Sequence, residues 1–314
     1  MDLSIIIINW NSVDFLGKCL ASLYSNTRGI SFEVLVVDNG SYDGCAELIQ
    51  REFPAVRFIQ SQENLGFARG NNLASKYSIG RILLFLNPDT EPVGPALQRM
   101  VACMQSQSDA GAVGPKLLNT DLSIQTSCLQ SFPSLLNQVL DTEYLRALFP
   151  KWSLWGNRAL FEESREPVSV DGISGASLMV RRAVFEEVGR FSGDYFMYGE
   201  DMDLCYRIQK AGWKNYYVGD AAVIHHGRQS SKLQSNNHFS SIMIRNSLLT
   251  YFRVHRGNMY ARVFQSATAI AALCRIVLLG LAMALAVRRL RKQLLLPSIA
   301  KWARVFRWGI GLEV

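Results

Sequence analysis

Leu83-Leu84-Phe85-Leu86 runs straight into Asn87-Pro88-Asp89-Thr90, and this abrupt change from apolar to acidic constrains the fold more than any other stretch. Four apolar residues ending at a turn suit a strand buried on both faces, as in a parallel sheet covered by helices. Pro88 cannot donate to a central ladder, so the strand ends before it and leaves Asp89 just past the carboxyl end. Open α/β sheets bind ligands at that edge. A carboxylate there suits a divalent cation, because hard ions take oxygen ligands and help to hold substrate phosphates. Asp89 is therefore the first candidate metal ligand.

The same pattern precedes it. Leu3 to Asn9 is an Ile-rich run, followed by helical spacing from Val13 to Ser25. Phe32 to Val37 ends in the polar loop Asp38 to Gly44. Val56 to Gln60 is a weaker strand, leading to Asn64-Leu65-Gly66 and a helix to about Ser78, and Arg81 to Leu86 is the fourth strand. Strands alternating with helices predict a doubly wound, mainly parallel α/β sheet. Parallel strands present their carboxyl ends together, so Asn9-Trp10-Asn11, Asp38 to Gly44 and Asn87 to Asp89 should converge. Turn chemistry alone accounts for Asn, Asp and Gly in any one loop. Convergence of several loops makes a site.

Asp121 to Glu166 has short helical patterns among aromatic residues and reads as an insertion covering substrate, with no residue assignable to a role. Regular structure returns at Ser169 to Val180, with Gly172 and Gly175 allowing a turn or a close backbone approach. Arg181 to Val188 is a helix closed by Gly189. Glu200, Asp201 and Asp203 then open another helix behind Tyr195, Phe196 and Tyr198. Acids in a first turn complement the helix dipole. The preceding aromatic residues could instead desolvate a carboxylate and raise its pKa toward base strength. Tyr216 to Ile224 is a further strand and delivers His225 and His226, of which only one can face a given site.

Charge is unevenly spread over the 314 residues. From Tyr251 onward there are eleven Lys and Arg against one acid, a tail of +10 in a chain of net +7, which leaves −3 for the first 250 residues. Because the basic residues flank apolar runs, the tail points to an anionic membrane surface and not to nucleic acid. Val263 to Val287 is 25 residues long and interrupted only by Arg275. That length can span a bilayer, but an arginine at mid-membrane costs roughly 2.5 to 3.5 kcal/mol. Helices lying in the interface, with Arg288, Arg289, Arg291 and Lys292 on headgroups, are the preferred expectation. A buried helix or a contact between copies of the chain, making a homo-oligomer, is the alternative. Six scattered cysteines with no C-x-x-C pair suit a reducing compartment. With no signal-peptide pattern at the amino terminus, the expected address is cytoplasmic, peripheral or monotopic on the inner face of the cell membrane.

Taken in order, the segments SIIIINWN, VVDNGSYDG, NLGFARGNN, LNPDT, SGASLMVRRAVFEEVGRF, YFMYGEDMDLCYRIQKAGW and HHGRQS resemble the GT-A fold glycosyltransferases of family 2, especially bacterial rhamnosyltransferase-like members. The resemblance runs from about Leu3 to Arg256. It implies a glycosyltransferase domain over 1–250, with a nucleotide-sugar half (1–120) and an acceptor and catalytic half (121–250), and a membrane-associating helical tail over 251–314. In that family Asp38 would read the pyrimidine base, with Asn9 and Asn11 lining the same pocket and Asn64, Gly66 and Asn71 near ribose and diphosphate. Asn87-Pro88-Asp89 stands where relatives have D-x-D, so the metal contact falls to Asp89, with Asn87 as a weaker polar one.

Glu200-Asp201 resembles the family's E-D pair, with Asp201 as general base, and His225 its metal-associated histidine, in a pattern ending at Ser230; His226 is the fallback. Arg228 departs from the usual Gly. The implied reaction is inverting transfer of a sugar from a nucleoside diphosphate, assisted by Mg2+ or Mn2+, to a glycan or polyprenyl-diphosphate-linked acceptor. Deoxythymidine diphosphate rhamnose is the favoured donor and a uridine diphosphate sugar the second. A nucleotidyltransferase lacks its signature loop here, and a dinucleotide enzyme its G-x-G-x-x-G. An inactive membrane-bound scaffold is the remaining alternative.

Overall fold

The computed structural model describes residues 1–141, 143–162, 166–227, 239–285 and 289–312. Arg228, Ser230 and Arg288 lie outside the described residues, as do the side chains of Arg289, Arg291 and Lys292. The chain forms two compact units, one of Met1–Phe132 with Arg146–Leu233, the other of Pro133–Leu145 with Gln234–Val314.

In the first unit the Ile-rich run becomes β1 (Leu3–Asn9), buried at every position. It leads to α1 (Val13–Asn26), whose inward stripe is Leu16, Cys19, Leu20 and Leu23. β2 (Phe32–Asp38), α2 (Cys45–Glu52), β3 (Arg57–Gln60), α3 (Gly66–Ser75) and β4 (Ile82–Leu86) follow in the expected alternation. Burying one Ile or Leu side chain is worth about 1.5 to 3 kcal/mol, so these strands and the helices on them anchor everything the loops carry.

Past β4 come β5 (Thr90–Val93), α4 (Ala96–Ser106), β6 (Ala110–Leu118) and β7 (Leu129–Gln130). The segment after β7 contains two short helices, α5 (Leu135–Leu140), which belongs to the second unit, and α6 (Glu143–Leu148). The regular structure expected over 169–180 is three strands, β8 (Val168–Val170), β9 (Gly172–Ile173) and β10 (Ser177–Arg181). A turn in which Ser177 N–H donates to the Ser174 carbonyl separates the last two. α7 (Arg182–Glu187), α8 (Glu200–Lys210) and β11 (Lys214–His225) complete the unit.

The main sheet has the order β3-β2-β1-β4-β10-β6-β11-β5, with β8 beside β11. β3, β2, β1 and β4 are mutually parallel. β10 is inserted antiparallel between β4 and β6, and β5 and β8 are antiparallel to β11, so the doubly wound half continues into a mixed one. The insertion of β10 matters for function, because it brings the turn at 174–176 beside the end of β4.

The second unit contains α5 and three long helices, α9 (Phe239–Arg256), α10 (Asn258–Leu285) and α11 (Arg289–Gly309). Phe252, Phe264 and Trp308 are buried in its core, and the Trp308 indole N–H donates to Asn246 Oδ1 at 2.7 Å. Within α10, Asn258–Ala284 is long and apolar enough to cross a membrane. Arg275 does not oppose this in the way its sequence position suggests. Its guanidinium turns into the unit, donating to the Val139 carbonyl at 2.8 Å and lying 4.2 Å from the Trp302 ring centre.

Candidate active site

Register sets the first part of the site. Asn9 pairs with Asp38 across the β1–β2 ladder, and both are buried at the carboxyl edge. Asp38 accepts from Tyr42 N–H at 3.0 Å, Gln60 Nε2 at 2.8 Å, Asn9 Nδ2 at 3.3 Å and the Ser41 hydroxyl. Burial works against its charge, yet the bonds from Ser41, Gln60, Tyr42 and Asn9 prevail and hold its carboxyl below the usual range. Asp38 is thus a fixed anion. Asn11 is exposed at the rim with left-handed backbone (φ 50°).

Asp43 does different work. It accepts from the N–H groups of Ser12 and Val13 at 2.8 and 3.0 Å, so it caps α1 from a separate loop and ties the first two loops together. Asp38, Asp43 and Cys45 could be read as a metal cluster by proximity alone. Their donors are otherwise engaged: both carboxylates accept N–H groups, and burial, with the charges of Asp38 and Asp43, pushes the Cys45 thiol up and away from thiolate.

Asn64 Oδ1 accepts from Asn39 Nδ2 at 2.8 Å and from Gly66 N–H at 2.9 Å, so it shapes the entry to α3. Gly66 has φ 73°, and a Cβ there would lie 2.4 Å from the Phe196 carbonyl oxygen. Only glycine lets the 194–199 loop pass so close to α3. Asn71 Nδ2 donates to the Phe67 carbonyl one turn back at 2.9 Å, and its buried Oδ1 has no partner among the described residues.

Asp89 is 7 % exposed. Its Oδ1 lies 3.4 Å from His225 Nε2, and Asn87 Nδ2 lies 3.4 Å from the same nitrogen. The tautomer follows from Gln125, a residue in an irregular segment with no sequence signal of its own. Gln125 Nε2 donates to Asn119 Oδ1 at 3.0 Å, which leaves Gln125 Oε1 to accept from His225 Nδ1 at 2.7 Å. With Nδ1 donating to Gln125, Nε2 is the ring nitrogen that faces the Asp89 carboxylate and the Asn87 amide. A carboxylate oxygen and an imidazole nitrogen this close, with the imidazole held by an outer amide, are a fitting donor set for a divalent ion. His226 points elsewhere, its Nε2 2.6 Å from Glu91 Oε1 and its ring 5.3 Å from Phe15.

The third part begins at two successive left-handed residues, Tyr198 (φ 69°) and Gly199 (φ 82°), which turn the chain into α8. Asp201 Oδ1 accepts from Met202 N–H at 2.8 Å and Oδ2 from Gly175 N–H at 2.7 Å. A Cβ on Gly175 would lie 3.3 Å from Asp201 Cβ and 3.5 Å from the Phe67 ring, so a larger residue would crowd this contact. The next residue, Ala176, accepts through its carbonyl from Asn87 N–H at 3.0 Å. Adjacent residues of one turn therefore hold the Asp201 carboxylate and the Asn87-Pro88-Asp89 turn.

Glu200 is 7 % exposed, and its Oε2 has no partner among the described residues. Burial, then the neighbouring charge of Asp201, pushes its carboxyl up to about 8. Burial also raises Asp201, opposed by its two N–H donors. Glu200 therefore keeps the proton while Asp201 is the better carboxylate. Asp203 is set apart, accepting from Arg207 at 2.6 and 2.8 Å and from the Tyr195 hydroxyl at 3.4 Å. Of the three aromatic residues expected to desolvate the pair, Tyr195 is buried on Asp203 and Phe196 is 49 % exposed.

A proton held by folded Glu200 and released by the unfolded chain makes stability fall as pH rises from about 4.5 to about 8. Glu200→Gln removes that contribution. Its urea midpoint should fall less than the parent's between pH 5 and pH 8; parallel pH profiles would show that Glu200 is not protonated in the folded protein.

Residues 4–189 match the model of Glycosyl transferase family 2, and residues 133–287 that of Glycosyl transferase family group 2. The chain belongs to glycosyl transferase family 2. It is 31% identical over 253 residues to the N-acetylglucosaminyl-diphospho-decaprenol L-rhamnosyltransferase of Mycobacterium tuberculosis, covering 76% of this chain and 80% of that one. It is 26% identical to the rhamnosyltransferase WbbL of Escherichia coli, covering 73% and 84%. Among solved structures, the mannosyltransferase PcManGT from Pyrobaculum calidifontis, in complex with GDP-Man and Mn2+, superposes with a TM-score of 0.54 at 15% identity over 99% of this chain and 86% of that one. GalNAc-T7 with UDP, GalNAc and Mn2+ gives 0.56 at 14% identity, over 84% and 54%. This family 2 glycosyltransferase therefore has the GT-A fold, and its chemistry must be argued from its own residues.

Proposed function

We propose that this glycosyltransferase transfers rhamnose from deoxythymidine diphosphate rhamnose, with inversion, to a hydroxyl of a lipid-linked glycan at the inner face of the membrane. The observation that carries the reading is the Gly175–Ala176 turn, which grips the Asp201 carboxylate by one residue and the Asn87–Asp89 turn by the next. One displacement needs a base at the incoming oxygen and charge control at the departing diphosphate, and this turn sets the two relative to each other. Asp201 takes the acceptor's proton. Glu200, protonated beside it, adds no second negative charge near the incoming oxygen. Asp38 and Asn9 form the floor of the base pocket. Asp89 and His225 would hold Mg2+ or Mn2+, which when bound offsets charge growing on the diphosphate.

The rhamnose assignment is supported by the names of the two curated relatives, as is the lipid-linked acceptor by the first of them. Membrane docking is supported by α10, where Met259, Val263, Ile270, Val277 and Leu281 are exposed at helical spacing in a strongly basic unit. Retention of Asp38, Asp89, Asp201 and His225 in mutually supported positions speaks against an inactive scaffold.

Calorimetric titration of the full chain with deoxythymidine, uridine and guanosine diphosphates, each with and without Mn2+, tests the donor site. Tightest binding is expected for deoxythymidine diphosphate, and only with metal. A preference for uridine diphosphate would transfer the assignment to a uridine diphosphate sugar, and binding of none would reject a donor site.

A further inference from the structure

The second unit carries twelve Lys and Arg against three acids, and two of those cations are turned inward. Arg245 on α9 and Arg275 on α10 both lie over the ring of Trp302 on α11, with guanidinium carbons 5.7 and 4.2 Å from its centre. Lys301 Nζ is 5.5 Å from the same centre. Arg275 is bonded to the Val139 carbonyl, and Arg245 Nη1 donates to the Ser241 carbonyl and hydroxyl at 2.7 and 2.6 Å. Arg245 Nε is buried with no partner among the described residues.

Neither guanidinium is in salt-bridge contact with a carboxylate among the described residues. Asp141 is the nearby acid whose charge acts on both. Gathering cations around one indole with no carboxylate in salt-bridge contact among the described residues is costly, since each charge is partly desolvated and like charges repel. Cation–π contact with the indole returns only part of that cost. Guanidinium forks are, however, the donor best matched to phosphate oxygens. The same helix that carries Arg275 exposes the apolar stripe assigned above to the membrane, so a phosphate here would have its hydrocarbon chain beside it.

We propose that Arg245 and Arg275, packed on Trp302, form a binding site for a lipid-borne phosphate. The inference rests on the membrane-acceptor reading and adds to it the residues that meet the lipid's charged end. Two sources share that chemistry, the diphosphate of an isoprenoid-linked acceptor and the phosphodiester of a bilayer lipid.

The test uses the full chain and the variants Arg245→Gln, Arg275→Gln and Arg245→Lys, with farnesyl diphosphate in zwitterionic micelles as one probe. Vesicles of phosphatidylcholine, alone or mixed with phosphatidylglycerol, are the other. Each Gln variant should weaken binding about tenfold or more, with Arg245→Lys weakened less. Loss confined to farnesyl diphosphate assigns the site to the acceptor's diphosphate, and loss confined to the phosphatidylglycerol vesicles assigns it to the bilayer. Far-ultraviolet circular dichroism and thermal midpoint separate this from unfolding of the helices, and binding that is unchanged in both arms overturns the site. Nucleoside diphosphate binding, read in the same samples, should stay at the parent level; its absence from the parent would defeat the donor reading and leave the lipid arms interpretable.

Discussion

Asp201→Asn should reduce kcat by roughly 10²- to 10⁴-fold, the usual worth of a positioned general base, while nucleoside diphosphate affinity stays within a few-fold of the parent. The split between the two readouts is the informative part. Asp201 accepts from the backbone N–H groups of Gly175 and Met202 and, among the described residues, has no hydrogen bond to a residue assigned to the donor, so its loss should be felt where a proton moves. Asparagine has one acceptor oxygen where the carboxylate has two, so one of those N–H groups would face an amide nitrogen. A thermal midpoint must therefore accompany the kinetics. Burial raises the Asp201 carboxyl, and a base must be deprotonated to act. Activity should accordingly climb with pH along an acid limb above the ordinary aspartate range. Turnover within a few-fold of the parent in a folded Asp201→Asn protein would remove Asp201 from the chemistry.

The parts of this site legible in the sequence are those written locally. β1, β2 and β4 are short apolar runs that stop at polar turns, so the convergence of Asn9, Asp38 and Asp89 at one edge follows from strand geometry. What could not be read depends on pairing between distant segments. β10 enters antiparallel beside β4, and nothing in Ser177–Arg181 announces that neighbour. Hence the role of Gly175 and Ala176 as the link between two loops was hidden, although Gly175 was visible as a place of close approach. Strand alternation separates His225 from His226 but cannot choose between them. The choice came from Gln125, 100 residues earlier in an irregular segment, whose amide fixes one ring. Arg275 likewise depends on distant partners: its position mid-way along an apolar helix suggested a cost in lipid, whereas its guanidinium turns to the Val139 carbonyl and the Trp302 ring inside the unit.

Removal of the Asp89 carboxylate should abolish the metal dependence of donor binding. In Asp89→Ala the affinity for deoxythymidine diphosphate with Mn2+ should fall to its metal-free value, a loss on the order of a hundredfold or more. The turn itself should survive, because Ala176 and His226 hold it through backbone atoms of Asn87 and Asp89 and not through the carboxylate. Gln125→Leu supplies the graded comparison. It leaves both donor atoms in place but frees the His225 ring to rotate and to carry its proton on Nε2, which blocks the lone pair facing Asp89. Outer hydrogen-bond partners of metal ligands are worth about 10- to 100-fold in affinity, so Gln125→Leu should fall between the parent and Asp89→Ala in Mn2+ titrations. The ordering discriminates between two accounts of the same geometry. If Asp89 and His225 were only a hydrogen-bonded pair closing β5 onto β11, all three proteins would bind nucleotide equally with and without Mn2+ and differ in thermal midpoint alone. If they hold the ion, affinity should follow the order parent, Gln125→Leu, Asp89→Ala in its presence and converge in its absence.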